Sequence, residues 1–448
     1  MLLRMSQPAG SAKSPQAISP AATAGGSGDL RSLKWQIIGQ IYATQNELLQ
    51  RRHQAAAKCE IELRIGEECR PLTATMNDTD RAALLSQIKD ELLGFGPIQP
   101  LLDDPTVSEV MVNRADRVYV ERKGKSILTD VKFEDDAHIR RIIDRIIVPL
   151  GRYLDENSPL VDARLPDGSR VNVVIPPVAV AGSCITIRKF SQGLLAAEDL
   201  VRLGAFPASV ATFLKACVQA RLNIVVAGGT GSGKTTLLNV LSSFIPTEER
   251  IVTIEDAAEL KLAQDHVITL EAKRPGRDGQ GEVTMRELVR NALRMRPERI
   301  VVGEVRGGDA LDMLQAMNTG HDGSMTTVHA NSPRDVLSRI ETLALMGGID
   351  FPVRVIREQI ASALHLIVQQ ARMRDGSRRV INLTEIGGME MDRIILQEVY
   401  RFTEQGVDAE GKVTGELRPT GLRPRFCAKL EAAGVKLGPE IFNPSARQ

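Results

Sequence analysis

The sequence predicts an α/β chain: a largely parallel sheet with helices on both faces, preceded by a smaller α+β domain and an N-terminal helical segment. Three observations carry this. From Ala208 onward, apolar strand-like runs alternate with helical runs, the pattern of a parallel sheet with crossover helices. One strand-to-helix junction in that region reads "GGTGSGKT", a glycine-rich loop ending in lysine and threonine. Ahead of it, "VSEVMVN", "RVYVER", "SRVNVVI" and "SCITIRKF" read as short strands around one amphipathic helix. A chain of 448 residues has room for two or three such units.

Residues 1–30 are rich in Ala, Ser, Pro and Gly, with too few large apolar groups to offset the entropy of ordering, and predict a disordered tail. Over 31–95, Trp35, Ile38, Ile41 and Tyr42, then Leu84, Leu85, Ile88, Leu92 and Leu93, recur at helical spacing. Asp78 or Asp80 is placed to cap the second of these helices. The Gly and Pro of "GFGPIQPLLDDP" open the α+β domain, 96–190, in which "HIRRIIDRIIVPL" is an amphipathic helix halted at Pro149. The parallel-sheet domain, 191–448, starts with a helix over Ala208–Ala220 and a strand over Asn223–Ala227. A helix from Gly233, strands over Arg250–Ile254 and Val267–Leu270, a helix over Met285–Met295 and a strand over Ile300–Val302 follow. Thr284 and Glu287 are spaced as a capping box for the last of these helices.

Composition excludes several classes. Aromatics are 3% of the chain, thin for a protein that stacks bases on aromatic platforms. The net charge of +1 gives no global field toward nucleic acid or anionic lipid. Five dispersed cysteines form no CxxC pair, so neither a zinc knuckle nor a disulfide framework is expected, and a reducing cytosol fits. No apolar run is long enough for a signal peptide or a membrane span. A soluble protein is expected, with any membrane role carried by partners.

The chemistry centres on Gly228, Gly229, Thr230, Gly231, Ser232, Gly233, Lys234 and Thr235, with Thr236 next in line. This is the full GxxxxGK[ST] pattern, placed after an apolar strand and before a helix. Glycines let backbone N–H groups wrap a phosphate, and the helix N-terminus adds its positive end. Lys234 is placed to reach the β/γ-phosphates of ATP and Thr235 to offer a hydroxyl to Mg²⁺. In "RIVVGEVRGGDA", an apolar strand ends in Glu304. A lone charge there is costly, but ligands of such sheets sit beyond the carboxyl ends of the strands. Glu304 can orient or deprotonate the attacking water, or hold Mg²⁺ through a water. Gly303 occupies the place where an acid for the metal is usual, so Glu304 serves alone or shares the task with Glu255 and Asp256, which end the strand before. Asp256 also suits a plain helix cap. His329 follows the strand-like "SMTTV" and is placed to sense the γ-phosphate, whereas His321 fits a surface histidine equally well. Arg170 and Arg188, with Arg164 less favoured, precede the phosphate loop and could be delivered to it from the smaller domain.

Taken in order, "GGTGSGKTT", "IEDAAEL" and "IVVGEVRGGDALDMLQAMNTGHDGSMTTVHANS" closely resemble the secretion ATPases of the type II/type IV secretion and type IV pilus superfamily. That resemblance assigns a Walker A loop, an acidic box at Glu255–Asp256, a Walker B box with glycine before Glu304, and a histidine box at His329. "ELLGFGPIQPLLDDPTVSEVMVN" and "SPLVDARLPDGSRVNVVIPP" look like the CpaF/TadA branch, which drives Flp (tight-adherence) pili. The absence of a four-cysteine insert favours that branch. The resemblance implies a RecA-like ATPase core, a homo-hexameric ring peripheral to the cytoplasmic face of the inner membrane, and a polytopic platform protein as partner. Conjugation-type secretion and a RecA-like nucleic-acid motor are the alternatives. Near-neutral charge and scarce aromatics argue against direct nucleic-acid binding.

Overall fold

The structure is a computed structural model and describes residues 27–52, 54–122, 124–190, 195–275, 279–348 and 351–444. The chain divides into two compact units, Met1–Lys189 and Phe190–Gln448.

The first unit opens with helices α1 (Ser27–Thr44), α2 (Asn46–Gln50), α3 (Ala55–Leu72) and α4 (Asp78–Leu93). Their apolar stripes meet in one core that includes Ile37, Ile41, Ile61, Ile65, Ile88 and Leu92. Helix α1 takes in residues 27–30, which composition assigns to a tail; residues 1–26 lie outside the described residues. Asn77, not Asp78 or Asp80, caps α4: its side chain accepts from Asp80 N at 2.8 Å. The aspartates instead sit in the first turn, where negative charge favours the helix dipole.

Helix α5 (Gln99–Asp103) leads into β1 (Val107–Arg114), β2 (Arg117–Arg122), β3 (Lys125–Leu128), helix α6 (Asp136–Ile147), β4 (Leu160–Arg164), β5 (Arg170–Val174) and β6 (Cys184–Arg188). The strands form one sheet in the order β3-β2-β1-β6-β5-β4, antiparallel throughout. The buried isoleucines of α6 share its core with Val110, Val112, Val171, Val173 and Ile185. A buried polar joint ties the helical part to this sheet part. His138 Nδ1 accepts from Glu134 N at 3.3 Å, which leaves Nε2 to donate to Glu91 of α4 at 2.8 Å.

The second unit runs α7 (Ala197–Arg202), α8 (Ala208–Gln219), β7 (Ile224–Gly228), α9 (Lys234–Ser242), β8 (Ile251–Glu255), β9 (Val267–Glu271), α10 (Met285–Ala292) and β10 (Arg299–Val302). Then come α11 (Asp309–Asn318), β11 (Met325–Val328), α12 (Pro333–Leu345), α13 (Val353–Ala363), β12 (Leu366–Arg372), β13 (Arg378–Glu390), β14 (Arg393–Val407), β15 (Val413–Pro419) and α14 (Cys427–Ala432). The nine strands order β15-β14-β13-β12-β7-β11-β10-β8-β9. From β12 to β9 all pairs are parallel; β13, β14 and β15 add an antiparallel flank. Strands β7, β10 and β11 are buried at every position, as a sheet covered on both faces requires. One core layer holds α8 and α9, the other α11, α12 and α13. Thr284 caps α10 with Glu287 reciprocating, the capping box its spacing predicts. This mixed α/β architecture is the fold class the sequence predicts.

Candidate active site

Parallel strands bring all their carboxyl ends to one edge, and β7, β11, β10 and β8 are consecutive neighbours. The loop after β7, the residues after β11 and β10, and the last residue of β8 therefore share that edge. This places Gly228–Gly233, His329, Glu304 and Glu255 on one rim of the sheet. His321 precedes β11 and lies toward the opposite edge.

The glycine-rich loop leaves Gly228, the last residue of β7, and delivers Lys234, Thr235 and Thr236 into the first turn of α9. Gly231 and Gly233 have φ of +71° and +97°, left-handed values that glycine adopts without a Cβ penalty. No side chain caps α9, so its N-terminal turn keeps its anion-binding character. Ser232 Oγ donates to Gly229 O at 2.9 Å, and Lys234 Nζ donates to the same carbonyl at 3.2 Å. The ammonium group is thus folded back over its own loop.

Glu304 lies two residues beyond β10, one-quarter exposed. Arg306 holds it through two bonds to Oε2, from Nε at 3.0 Å and Nη2 at 2.7 Å. Arg306 Nη1 also reaches Asp256 Oδ2 at 3.6 Å. Burial works against the charge of the Arg306 guanidinium, but the bond to Glu304 and the charges of Glu304, Asp256 and Glu259 outweigh it and raise its pKa above the usual arginine value. Asp309 fixes the turn that carries Arg306 by accepting from Gly307 N at 2.8 Å and Arg306 N at 3.4 Å. Burial pushes the Asp309 carboxyl up from the usual range, against the pull of those N–H bonds.

Glu255 is buried, and its carboxylate accepts backbone N–H groups: Glu259 at 2.9 Å and Leu260 at 3.1 Å to Oε1. It fixes the course of the acidic loop that follows β8. A Cβ on Gly303 would sit 2.8 Å from Glu255 Cγ, so the glycine before Glu304 is demanded by the Glu255 side chain packed against it. Thr327 Oγ1 donates to Gly303 O at 2.7 Å and locks the ends of β10 and β11 together.

Residues 91–407, well over half of the chain, match the family described as type II/IV secretion system protein. The chain belongs to that family. A putative conjugal transfer protein of Mycobacterium tuberculosis is 40% identical over 314 residues, covering 69% of this chain and 89% of its own. The conjugal transfer protein TrbB of Rhizobium radiobacter is 35% identical over 291 residues, 64% of this chain and 86% of its own. Among solved structures, the VirB11 ATPase of the Brucella suis type IV secretion system, in complex with sulphate, is similar at 31% identity over 64% of this chain and 91% of that one, with a TM-score of 0.35.

In this secretion-family chain, His329 sits exposed immediately past β11, whose last residue pairs with Ala227 of β7. Arg170 and Arg188 belong to the first unit, directly opposite each other on β5 and β6. The row continues across the sheet to Glu109 on one side and Arg164 on the other, so these arginines stand side by side where neighbouring strands begin or end. Sequence reasoning missed Arg306, Thr327 and a basic hairpin after β12. Arg306 was legible only as a charge two residues after Glu304. In the hairpin, Arg378 Nε donates to Gly231 O at 3.0 Å, a contact that 147 residues of separation hide. Among the described residues no three His, Cys, Asp or Glu side chains gather as a metal set. None of the described helices is long and apolar enough to cross a membrane.

Proposed function

We propose that this chain is a mechanochemical ATPase that converts ATP and water to ADP and phosphate to drive a type II/IV-like secretion or pilus machine. The observation that carries this reading is the phosphate loop and Glu304 on one rim of a parallel sheet, in a chain of the secretion family. Lys234 and the N–H groups of Gly229–Thr236 bind the phosphates. Glu304 orients the attacking water and takes its proton. Glu255 positions the acidic loop beside it, and His329 senses the γ-phosphate. Thr235 and Glu304 are the side chains suited to hold Mg²⁺, an ion that reaches such sites on nucleotide phosphates with few protein ligands. When bound, it neutralises phosphate charge. Arg170 and Arg188 bring positive charge from the first unit and link closure to the nucleotide state.

The working form is a homo-hexameric ring, peripheral at the cytoplasmic face of the inner membrane beneath a platform protein, with no direct nucleic-acid contact. The motifs over residues 91–113 and 158–177 favour the Flp-pilus branch. The names of the relatives, conjugal transfer proteins, favour a conjugation-type second reading. Neighbouring pilin and secretin genes, against conjugation genes, separate the two.

Phosphate release by the purified full chain, with its particle mass measured with and without a non-hydrolysable ATP analogue, tests the proposal. Wild type is expected to turn over ATP and form six-subunit particles, and Lys234→Ala to lose turnover. Phosphate release no faster from wild type than from Lys234→Ala would refute the ATPase assignment.

A further inference from the structure

We propose that the β12–β13 hairpin is a second wall of the phosphate site, in which Arg372 and Arg378 bind the diphosphate portion of the nucleotide. This rests on the reading of the phosphate loop as a nucleotide site.

Sheet order places the wall. β7 lies between β11 and β12, so β10 with Glu304 is on one side of the loop and the hairpin is on the other. The register then chooses the residues. A bulge between Gln369 and Gln370 sets Arg372 directly opposite Arg378. Continued without it, the register of Gln369 with Asn382 would bring Arg379 there instead, since a one-residue slip exchanges the faces of a strand. Arg379 is used elsewhere: it lies 5.5 Å from the Phe402 ring and donates to Val413 O at 2.7 Å.

Both opposed arginines reach the tip of the loop. Besides the Arg378 bond to Gly231 O, Arg378 Cδ comes within 3.2 Å of where a Cβ on Gly233 would be, and Arg372 Nη1 within 3.6 Å of the same point on Gly231. Gln370, two residues before Arg372 on the same face, is 3% exposed, and its Nε2 lies 3.3 Å from the Gly233 point. Its Oε1 is buried with no hydrogen-bond partner among the described residues.

Two cations directly opposite each other destabilise a strand pair, and an anion between them reverses the sign. Guanidinium forks match phosphate oxygens bidentately. The wall is also preformed. Met373 N donates to Ser377 O at 2.7 Å across the turn, and Asp375 accepts from Ser377 N at 2.9 Å, Ser377 Oγ at 2.6 Å and Val413 N at 2.7 Å. Gly231 and Gly233 belong to the loop that surrounds the phosphates common to ADP and ATP. Arg372 and Arg378 therefore contribute to both nucleotides, unlike Arg170 and Arg188, which are assigned to the γ-phosphate.

Calorimetric titration of the full chain with ADP and with inorganic pyrophosphate tests this in wild type, Arg372→Gln, Arg378→Gln and the double variant, alongside melting curves. Each single variant is expected to bind both ligands roughly tenfold more weakly, the loss of one charged hydrogen bond. Without ligand, each is expected to melt close to the wild-type temperature, and the ADP-induced rise in melting temperature shrinks. Wild-type affinity in the double variant overturns the proposal. So does a drop in the unliganded melting temperature that accounts for the whole loss, since the arginines would then be structural props. Weakened ADP with unchanged pyrophosphate binding moves them to the nucleoside and also overturns it. Failure of wild type to bind ADP at all would instead sink the nucleotide reading itself.

Discussion

Strand β10 carries an arginine–glutamate pair at each end, and the two pairs are built differently. At its first residue, Arg299 is fully buried. It bonds Glu249 through both Nε and Nη2 and donates from Nη1 to Val218 O at 2.9 Å and Gly323 O at 3.3 Å. Arg221 adds a second cation to Glu249 at 3.2 Å. Just beyond the other end, Glu304 is 26% exposed and its partner Arg306 is 61% exposed. The inner pair closes off the amino edge with its polar groups matched to protein partners. The outer pair holds its carboxylate by one largely exposed side chain, and an exposed pair contributes little that a ligand would have to replace. A buried ion pair must satisfy itself to exist, whereas a half-exposed one remains available. The same two residue types thus serve as structure at one end of a strand and as candidate chemistry at the other.

The largest expected break in this comparison is Glu304→Gln. The amide keeps the shape and leaves the phosphate loop intact, so nucleotide binding and melting temperature should stay near wild type. Loss of a general base costs about 10²–10⁴-fold in rate, read by phosphate release under single-turnover conditions. A wild-type rate would remove Glu304 from the mechanism and reduce its pair with Arg306 to surface decoration.

At the other end, Arg299→Met should do the reverse. It removes two of the bonds that hold the mostly buried Glu249, leaving Arg221 as its other cation, and takes a donor from Val218 O and Gly323 O. Removing one partner of such a pair costs roughly 3–5 kcal/mol, visible as a lower denaturant midpoint. Nucleotide affinity per folded molecule should hold. If Arg299→Met unfolds no more easily than wild type, the inner pair is not the structural member of the comparison.

Gly303→Ala probes the end of β10 that carries Glu304. The new Cβ would meet Glu255 Cγ at 2.8 Å, so either β8 or the Glu255 side chain must shift. Overpacking of this kind costs about 1–3 kcal/mol. Because Glu255 holds Glu259 N and Leu260 N, the acidic loop should move with it and the hydrolysis rate should fall as well. A stability loss with an unchanged rate would show that the loop tolerates displacement and that Glu255 acts only in packing.

What the sequence disclosed follows from the range of the interactions involved. The phosphate loop, Glu304 and Glu255 were legible because each depends on a strand end and a few adjacent residues. Gly303 looked like a missing acid; the packing of Glu255 explains it, but only once β8 and β10 are known to be neighbours. The strands β12–β15 went unassigned because runs such as "TEIGGMEMDRIILQEVY" mix half-buried polar and apolar residues without a clean period. The opposition of Arg372 and Arg378 depends on a single bulged residue, which no composition or spacing announces. The cap of α4 slipped by one or more residues because Asn77, Asp78 and Asp80 are all competent caps, and backbone geometry alone selects Asn77.

The smallest stability effect belongs to Arg306→Ala, and it tests the comparison most directly. Arg306 has the same charge as Arg299 and also pairs with a glutamate at an end of β10, so residue type alone predicts equal losses. Exposure predicts otherwise. A solvent-accessible ion pair contributes about 0–1 kcal/mol, and its loss leaves Glu304 to be hydrated rather than stranded. The melting temperature of Arg306→Ala should therefore lie close to wild type, far above that of Arg299→Met. The rate should fall, because Glu304 loses the two bonds that orient it beside the phosphate loop and Asp256 loses its link to the same cation. Arg306→Lys should recover only part of that rate: an ammonium keeps the charge but not the paired Nε and Nη2 geometry. Salt supplies an independent reading, since 0.5 M NaCl screens an exposed pair and leaves a buried one almost untouched. Added salt should move wild type toward the Arg306→Ala rate without narrowing the gap in stability between wild type and Arg299→Met. Equal destabilisation by Arg306→Ala and Arg299→Met would show that the two ends of β10 are held alike, and the distinction drawn from their exposure would fail.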